Sequence, residues 1–393
     1  MEQIQLLEFW ILKLSRKKKN MFKKNLGISV YPEKFTKNET FDYIDQAAEL
    51  GYKKIFFSLL QFNTKEKLEK NIDLYFEVIK HAKKRGFYII LDIADSVFEV
   101  TKSSPRNLSF FKELNIDCLR LDSPLLPKEV ADATYFDIDI QLNISNNDSF
   151  INNVLDYQPV IENLSGSHNF YPQENTGLGI AFFKESTLRY VEKGIKTMAF
   201  IGSDFGDFGP QNFKVGKLVS LENHRNKPIK TQAKEFFASN LISDVIIGNQ
   251  SASFDELKDL SSIDKNIIEF DVDIYTKNTL EKEIIFNINH FARGDFNENY
   301  LRSTMPRVIF KDENDILPYS NDAKTVFNKG DIIVINNNDL NYQKELIVVL
   351  KNNFSNLGNK ANLVGKIKEY DKDLIDFVKP WSKFKFRDIK KGN

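Results

Sequence analysis

The sequence predicts an α/β fold in which eight parallel strands and their crossover helices close into a barrel, followed by a smaller all-β domain. Three observations support this prediction: eight short apolar runs are separated by helical patterns, polar residues alternate with apolar ones inside those runs, and the helical pattern stops after about residue 262. Parallel strands need helical crossovers, and eight of them can close a sheet. A doubly wound open sheet is the alternative.

The eight apolar runs have the length and composition that are typical of buried strands. They occupy residues 26–31, 54–60, 88–94, 118–122, 138–145, 159–165, 197–203 and 244–249. The segments between them show the apolar spacing of amphipathic helices. In the first of these segments, for example, Phe41, Ile44 and Ala48 form one stripe, and Gly51 suits a left-handed helix stop.

Alternation inside the strands predicts a polar barrel lumen. In residues 118–122, Arg120 and Asp122 share one face, while Leu119 and Leu121 share the other. An antiparallel sheet with one wet face would alternate in the same way, but the intervening helices argue against it. Because helices cover the apolar face, the polar face points into the lumen. Sites in a TIM (β/α)8 barrel lie at the carboxyl ends of the strands, so we expect one there.

After residue 262 strand-like runs follow one another closely, at residues 267–276, 281–290, 325–337 and 344–350. Little helix separates them, which predicts an all-β domain. We therefore expect three parts: an extension at 1–24 without chemistry, the barrel at 25–262 and the β domain at 263–393.

Composition argues against several classes of function. Lys+Arg and Asp+Glu both number 55, so the formal net charge is zero and nucleic acid is a poor ligand candidate. The single cysteine, Cys118, lies in an apolar run and cannot form a disulfide within the chain. The apolar stretch near the N-terminus is short and interrupted by charge, so neither a signal peptide nor a membrane span is predicted. We expect a cytoplasmic protein.

Polar side chains gather at the predicted carboxyl ends of the strands and in the loops that follow. Paired carboxylates across a sugar-sized gap are what glycoside hydrolysis requires, so Asp92, Asp122 and Glu222 are the candidates for catalysis. The candidates for substrate binding are Glu33, Arg120, Asn143, His168, Asn169, Tyr171, His224 and Arg225. Any one of these residues can instead be a helix cap or an ion-pair partner. Their combination at several strand ends favours a site.

Two other barrel chemistries are disfavoured. A Schiff-base aldolase needs a lysine near the carboxyl end of a lumen-facing strand, and none of the eight runs has one there. A binuclear metallohydrolase needs several histidines at the mouth. Of the four in the chain, His81 lies in a predicted helix and His290 in the β domain. We expect neither a metal nor another cofactor.

Several motifs resemble those of a known family, the 6-phospho-N-acetylmuramidases. They are LGISVYPE (26–33), LRLD (119–122), QLNIS (141–145), HNFYPQENTGLG (168–179), GP (209–210), LENHR (221–225) and VIIGN (245–249). The similarity covers most of residues 25–385, and it includes LRSTMPR (301–307) and KELIVVL (344–350) of a C-terminal cyclophilin-like barrel.

The resemblance implies a cytoplasmic glycosidase of cell-wall turnover. Its substrate would be a phosphorylated peptidoglycan disaccharide, N-acetylmuramic acid 6-phosphate linked to N-acetylglucosamine. His168, Asn169 and Tyr171 would then line the sugar site.

The phosphate of such a substrate needs charge-assisted donors, and arginine provides them in a rigid fork. We expect Arg302, Ser303 and Arg307 to clamp it if the β domain docks over the barrel mouth, with Arg225 or His224 helping. The alternative is that these arginines only pair with Asp295 and Glu298 on the domain surface.

Two other functions stay open. One is a phosphosugar isomerase or lyase that uses the same polar mouth. The other is a non-catalytic glycan-binding protein, which the missing export signal disfavours. The sequence predicts no membrane partner, and it predicts no oligomeric state.

Overall fold

The computed structural model describes residues 23–62, 64–122, 125–211, 214–319 and 326–389. Nearly all of the predicted N-terminal extension, residues 1–24, lies outside the described residues. The chain divides into two compact units, of which the first ends at Ser262 and the second begins at Ile263. In the described ranges, no helix is both long and apolar enough to cross a bilayer.

The first unit contains a closed barrel. Its strands are β1 (Asn25–Ser29), β2 (Lys54–Ser58), β3 (Tyr88–Ile93), β4 (Cys118–Leu121), β5 (Asp139–Asn143), β6 (Leu164–Ser167), β7 (Lys196–Ile201) and β8 (Asp244–Ile247). Each strand pairs in parallel with the next, and β8 pairs with β1. This arrangement confirms the predicted (β/α)8 barrel and excludes the open doubly wound sheet.

Helices connect the strands of the barrel. They are α1 (Lys37–Glu49), α2 (Lys65–Lys84), α3 (Asp95–Thr101), α4 (Ser109–Glu113), α5 (Pro127–Ala133), α6 (Phe150–Leu155), α7 (Ile180–Val191), α8 (Ile229–Ser239) and α9 (Phe254–Ser261), with 3₁₀ turns at Pro32–Lys34, Ile161–Asn163 and Glu222–His224. A capping box between Thr36 and Glu39 begins α1. Gly51 follows that helix with a φ of +82°, as its predicted role as a left-handed stop requires.

The barrel lumen has an apolar middle layer beneath a polar mouth. The rings of Phe56 on β2 and Phe200 on β7 lie 5.0 Å apart, centroid to centroid, although these strands are not neighbours. Both side chains therefore point into the lumen, where they pack with Ile90 and Cys118. Arg120 lies two residues beyond Cys118 on β4, so it faces the same lumen one layer nearer the carboxyl end.

The prediction for strand six is wrong in its position. The predicted run at 159–165 is mostly outside the sheet, because the Val160 N–H donates to Thr134 Oγ1 at 2.9 Å and the Asn163 side chain donates to the Thr134 carbonyl at 2.9 Å. The strand is instead the short Leu164–Ser167 segment. Its Gly166 allows close packing, since a Cβ there would lie 2.5 Å from a methyl group of Ile144.

The second unit is mostly sheet, as predicted, and forms a nearly closed barrel. Its strands are β9 (Ile268–Ile274), β10 (His290–Phe291), β11 (Tyr300–Ser303), β12 (Val326–Phe327), β13 (Asp331–Ile335), β14 (Leu346–Val349), β15 (Phe354–Ser355), β16 (Ala361–Ile367) and β17 (Lys383–Asp388). Seven strands form one sheet in the order β10-β17-β9-β16-β13-β14-β11, and β12 pairs with β15. Within the described residues of this second unit, β9 and β17 pair in parallel and the other strand pairs are antiparallel.

The strand predicted at 281–290 in this unit is wrong for most of its length. Helix α10 (Thr279–Phe286) forms there, and the unit also contains α11 (Met305–Ile309) and 3₁₀ turns at Leu357–Asn359 and Glu369–Phe377. The Asn278 side chain caps α10 by accepting from the Glu281 N–H at 3.1 Å. Glu281, Ile284 and Ile285 are buried with the spacing of one helix face.

Candidate active site

A pocket of about 350 Å³ opens at the carboxyl ends of β2, β3, β4 and β7. Its lining consists of Phe56, Leu60, Gln61, Asp92, Arg120, Asp122, Asn169, Phe170, Pro172, Phe200, Pro210 and Gln211. The volume is within the range of small-molecule sites. Four of the predicted site residues meet here: Asp92, Arg120, Asp122 and Asn169.

Arg120 holds these four residues together. The parallel register of β3 and β4 sets Asp92 beside Arg120. Arg120 Nη1 donates to Oδ1 of Asp92 and, at 3.2 Å, to Oδ1 of Asp122, while Nη2 donates to Oδ1 of Asn169. Two carboxylates therefore share one guanidinium nitrogen, and their oxygens lie within two hydrogen-bond lengths of each other.

The two carboxylates differ in exposure and therefore in acidity. The Asp92 and Arg120 side chains are each 3% exposed, whereas that of Asp122 is 38% exposed. Burial raises the pKa of Asp92 from its ordinary 3.8 to about 6, since the charge of Asp122 adds to burial and both outweigh the lowering effect of Arg120. The two carboxylates raise the pKa of Arg120 above its ordinary value despite its burial, so it stays protonated. The pocket thus has one carboxyl group that can hold a proton near neutral pH.

The sequence predicts His168 as a sugar contact, but the structure buries it completely behind the pocket wall. Its Nε2 lies 2.8 Å from Thr187 Oγ1 on α7, and its ring stacks on Phe183 at 4.2 Å. Burial, with a contribution from Arg120, lowers the pKa of His168 to about 3, so the ring is neutral. The alternation of side chains along β6 could have predicted this burial, because residue 167 faces the lumen, residue 168 faces the helices, and Asn169 faces the lumen again.

Hydrogen bonds from neighbouring loops fix the position of Asn169. Its N–H donates to Ser145 Oγ at 2.9 Å, and its carbonyl accepts from Ser220 Oγ at 2.7 Å. The next residue, Phe170, packs edge-on against Phe200, with ring centroids 5.0 Å apart. Tyr171 is half-buried beyond it, and its N–H donates to the Val219 carbonyl at 3.0 Å. The loop after β6 therefore supplies the pocket with one amide and one aromatic wall.

Glu222 lies outside the pocket lining, and its hydrogen bonds favour the ionised carboxylate instead of the protonated form that a catalytic acid needs. Its Oε1 accepts from the Asn175 N–H at 3.0 Å, and its Oε2 accepts from the Gly177 N–H at 2.8 Å. Arg225 donates to both oxygens, at 2.7 and 2.9 Å. The hydrogen bonds from Arg225, followed by those from the two backbone N–H groups, lower the pKa of Glu222 to about 2. Glu222 and Arg225 thus connect two loops.

His224 is also predicted to contact the substrate, and the structure buries it completely. Its Nε2 lies 2.9 Å from Oε2 of Glu235 on α8, and Lys227 binds the other oxygen of that carboxylate. This buried group anchors the 3₁₀ turn that carries Glu222. It does not line the pocket.

Glu33 and Asn143 lie next to the pocket lining without being part of it. Glu33 accepts from Gln61 Nε2 at 3.0 Å and from the Tyr75 hydroxyl at 2.9 Å, so it orients a glutamine that does line the pocket. Asn143 Oδ1 accepts from the Ser145 N–H at 3.0 Å. The sequence reasoning missed Phe56 and Phe200, which strand alternation could have found. It also missed Gln61, which lies in a loop and gave no signal.

The three residues predicted to clamp a phosphate lie in the second unit, where each already has a partner. Ser303 is fully buried, and its hydroxyl lies 2.9 Å from His290 Nδ1. Arg302 and Arg307 instead converge on the buried carboxylate of Glu345. The alternative pairing forms only in part: Asp295 binds Arg293, whereas Glu298 binds Lys351. In the part of the chain that the structure describes, no three His, Cys, Asp or Glu side chains could together hold a metal ion.

Comparisons with known proteins place the chain in a family. Family models described as the N-terminal and C-terminal parts of 6-phospho-N-acetylmuramidase match residues 26–262 and 268–387. The crystal structure of an uncharacterized B. cereus protein is 34% identical, with a TM-score of 0.84, over 93% of this chain and 100% of that one.

A conserved protein of unknown function from Enterococcus faecalis shares the fold at 23% identity, with a TM-score of 0.68, over 93% of this chain and 96% of that one. No protein with a curated description matches. Because the two family models together cover both units almost completely, the chain belongs to the 6-phospho-N-acetylmuramidase family, a family of glycosidases.

Proposed function

We propose that the barrel pocket hydrolyses the glycosidic bond between N-acetylmuramic acid 6-phosphate and N-acetylglucosamine. The family supports the substrate, and one observation supports the chemistry: Asp92 and Asp122 share Arg120 but differ in burial. Glycoside hydrolysis needs one carboxyl group that gives a proton and one carboxylate that stabilises the positive charge on the sugar. The pocket offers a group suited to each task.

Asp92 is the proton donor in this proposal. Its raised pKa, at about 6, lets it keep a proton near neutral pH, as a general acid must. The glycosidic C–O bond breaks as Asp92 protonates the leaving oxygen, and water then adds to the anomeric carbon and returns a proton to Asp92. Between these steps Arg120 stabilises the Asp92 carboxylate, because Nη1 already donates to it. The Arg120 hydrogen bonds to Asp122 and Asn169 keep the guanidinium in place during this change of charge.

Asp122 is the charge-stabilising carboxylate. It is the more exposed of the pair and lies at the pocket opening, where it can approach the anomeric carbon or the neighbouring acetamido group. The aromatic rings of Phe56, Phe170 and Phe200 form the apolar part of the wall. Apolar walls exclude water and strengthen electrostatic interactions with the developing charge.

Product analysis tests the proposal. The full chain is incubated with the 6-phosphorylated disaccharide, and release of N-acetylglucosamine and N-acetylmuramic acid 6-phosphate is expected. A rearranged phosphosugar would point to an isomerase or lyase, and an unchanged but bound ligand to a glycan-binding protein. We also propose that the reaction serves peptidoglycan recycling in the cytoplasm, where transport-coupled phosphorylation would deliver such a disaccharide.

A further inference from the structure

A second pocket, of about 1150 Å³, lies wholly within the second unit, and we call it the tryptophan pocket. Its charged lining comprises Arg293, Arg307, Lys311 and Lys344 together with Asp295, and Trp381 forms one wall. Among the described lining residues, four cations thus face a single carboxylate. The volume is sufficient for a sugar with charged substituents.

Two of these cations are already committed to partners in the unit. Arg293 binds Asp295 through two hydrogen bonds of 2.5 and 2.6 Å. Lys344 is buried, and its Nζ donates to the carbonyls of Phe310 and Glu313 at 2.8 and 2.7 Å. The charge of Arg293 is therefore balanced by Asp295, and Lys344 contributes positive potential to the pocket more than a direct contact.

The other two cations are placed to bind an anion. The Lys311 side chain is 69% exposed, and its Nζ is 3.9 Å from the nearer carboxylate oxygen of Asp312, a loose and exposed pair. Arg307 lies four residues earlier and also has partners: its Nη1 is 3.3 Å from Oε2 of the buried Glu345, which it shares with Arg302, and its Nη2 donates to the Asn341 carbonyl. These contacts use two of the five guanidinium N–H groups and leave the others for an anion. A guanidinium group beside an exposed ammonium group is a suitable donor set for a phosphate.

Trp381 presents a large aromatic face in a strained conformation. It is 72% exposed, and its φ of +66° lies in the left-handed region that bulky residues rarely adopt. Its backbone N–H donates to the Ala292 carbonyl at 3.1 Å. Its ring lies against Gly294, where a Cβ would come within 2.8 Å of the indole nitrogen. Strain of this kind persists where the surrounding structure holds it, and it concentrates at ligand sites.

We propose that the tryptophan pocket binds a phosphorylated sugar, with the sugar ring against Trp381 and the phosphate on Arg307 and Lys311. The electron-rich face of the indole attracts the C–H groups of a pyranose ring. The choice of a sugar rests on the proposed function, whereas the cations and the exposed ring are features of the second unit itself.

Tryptophan fluorescence tests this proposal. The sequence has two tryptophans, Trp10 and Trp381, so Trp10→Phe leaves Trp381 as the only indole. In that full-length background, N-acetylglucosamine 6-phosphate is expected to change the emission saturably, at lower concentration than inorganic phosphate, while unphosphorylated N-acetylglucosamine has no effect. Lys311→Ala and Arg307→Lys should each raise the Kd about tenfold, since the first removes a charge-assisted contact and the second removes the guanidinium fork. Arg307→Lys keeps a cation beside Glu345, so the fold is preserved.

The matched control is Lys351→Ala, which removes an exposed lysine from another pocket of the same unit and should leave the Kd unchanged. The proposal is overturned if Trp381 emission does not change, if the phosphorylated and unphosphorylated sugars give equal responses, or if the Kd is unchanged in both variants. Tighter binding of AMP would also overturn it, because the site would then prefer a nucleotide to a phosphorylated sugar. Cleavage is measured separately. A chain that cleaves the disaccharide but gives no fluorescence response loses only the tryptophan-pocket proposal, and a chain that binds but does not cleave loses only the proposed function.

Discussion

Replacing Asp92 by asparagine should abolish turnover and remove the loss of barrel stability that accompanies a pH rise from about 4 through about 6. Because burial raises the pKa of Asp92 from 3.8 to about 6, the folded chain holds this proton more tightly than the unfolded chain does. That preference stabilises the fold fully below pH 3.8 and is lost as the pH rises through about 6. A shift of this size corresponds to about 3 kcal/mol. Asparagine cannot ionise, so the unfolding free energy of the variant does not fall over this pH range as that of the wild type does.

The assay is urea denaturation of wild type and Asp92→Asn at pH 5 and pH 8, with hydrogen exchange in β3 and β4 identifying the barrel transition. The variant should gain about 1.4 kcal/mol of stability relative to wild type between pH 5 and pH 8, because the unfolded wild-type chain has already lost this proton at pH 5 and part of the effect lies below that pH. Any pH-independent cost of weakening the contact with Arg120 cancels in the comparison. Asp122→Asn is the matched control. It removes a charge that raises the pKa of Asp92, so the difference in stability between pH 5 and pH 8 should be smaller than in the wild type. A difference between variant and wild type that does not change with pH would refute the reasoning.

Three further predictions concern the same unit. Asp122→Asn should lower kcat by orders of magnitude while the circular dichroism spectrum is unchanged, and near-normal turnover would contradict its role. Arg120→Met should cost about 3–5 kcal/mol in urea denaturation, because it leaves Asp92 buried without its cation; loss of stability with unchanged substrate affinity would make Arg120 purely structural. Gly177→Ala should raise KM more than it lowers kcat, since its Cβ would lie 2.7 Å from Oε2 of Glu222 and displace the loop. Unchanged kinetics would show that the loop tolerates the displacement.

Local patterns were sufficient to predict most of the barrel. The apolar strand runs and the helical spacing between them depend on neighbouring residues, and strand and helical segments follow one another eight times between Asn25 and Ser261. The predictions failed where the local pattern was ambiguous. Residues 281–290 contain apolar residues that suit a strand or a helix face, and the cap from Asn278 together with burial of Ile284 and Ile285 selected the helix. Residues 159–163 have strand-like composition, but side-chain contacts with Thr134 hold them outside the sheet.

The sequence alone brought Asp92, Arg120 and Asp122 to one predicted site, because alternation places their side chains in the lumen and parallel register brings adjacent strand ends together. Only the tertiary structure decided the surroundings of the other polar candidates. The partners of His168 and His224 are Thr187 and Glu235, which lie on helices behind the barrel wall. A polar residue after a strand looks the same in sequence whether it faces a ligand or a helix. Its exposure, and with it its pKa and its chemistry, depends on contacts between segments that are distant along the chain.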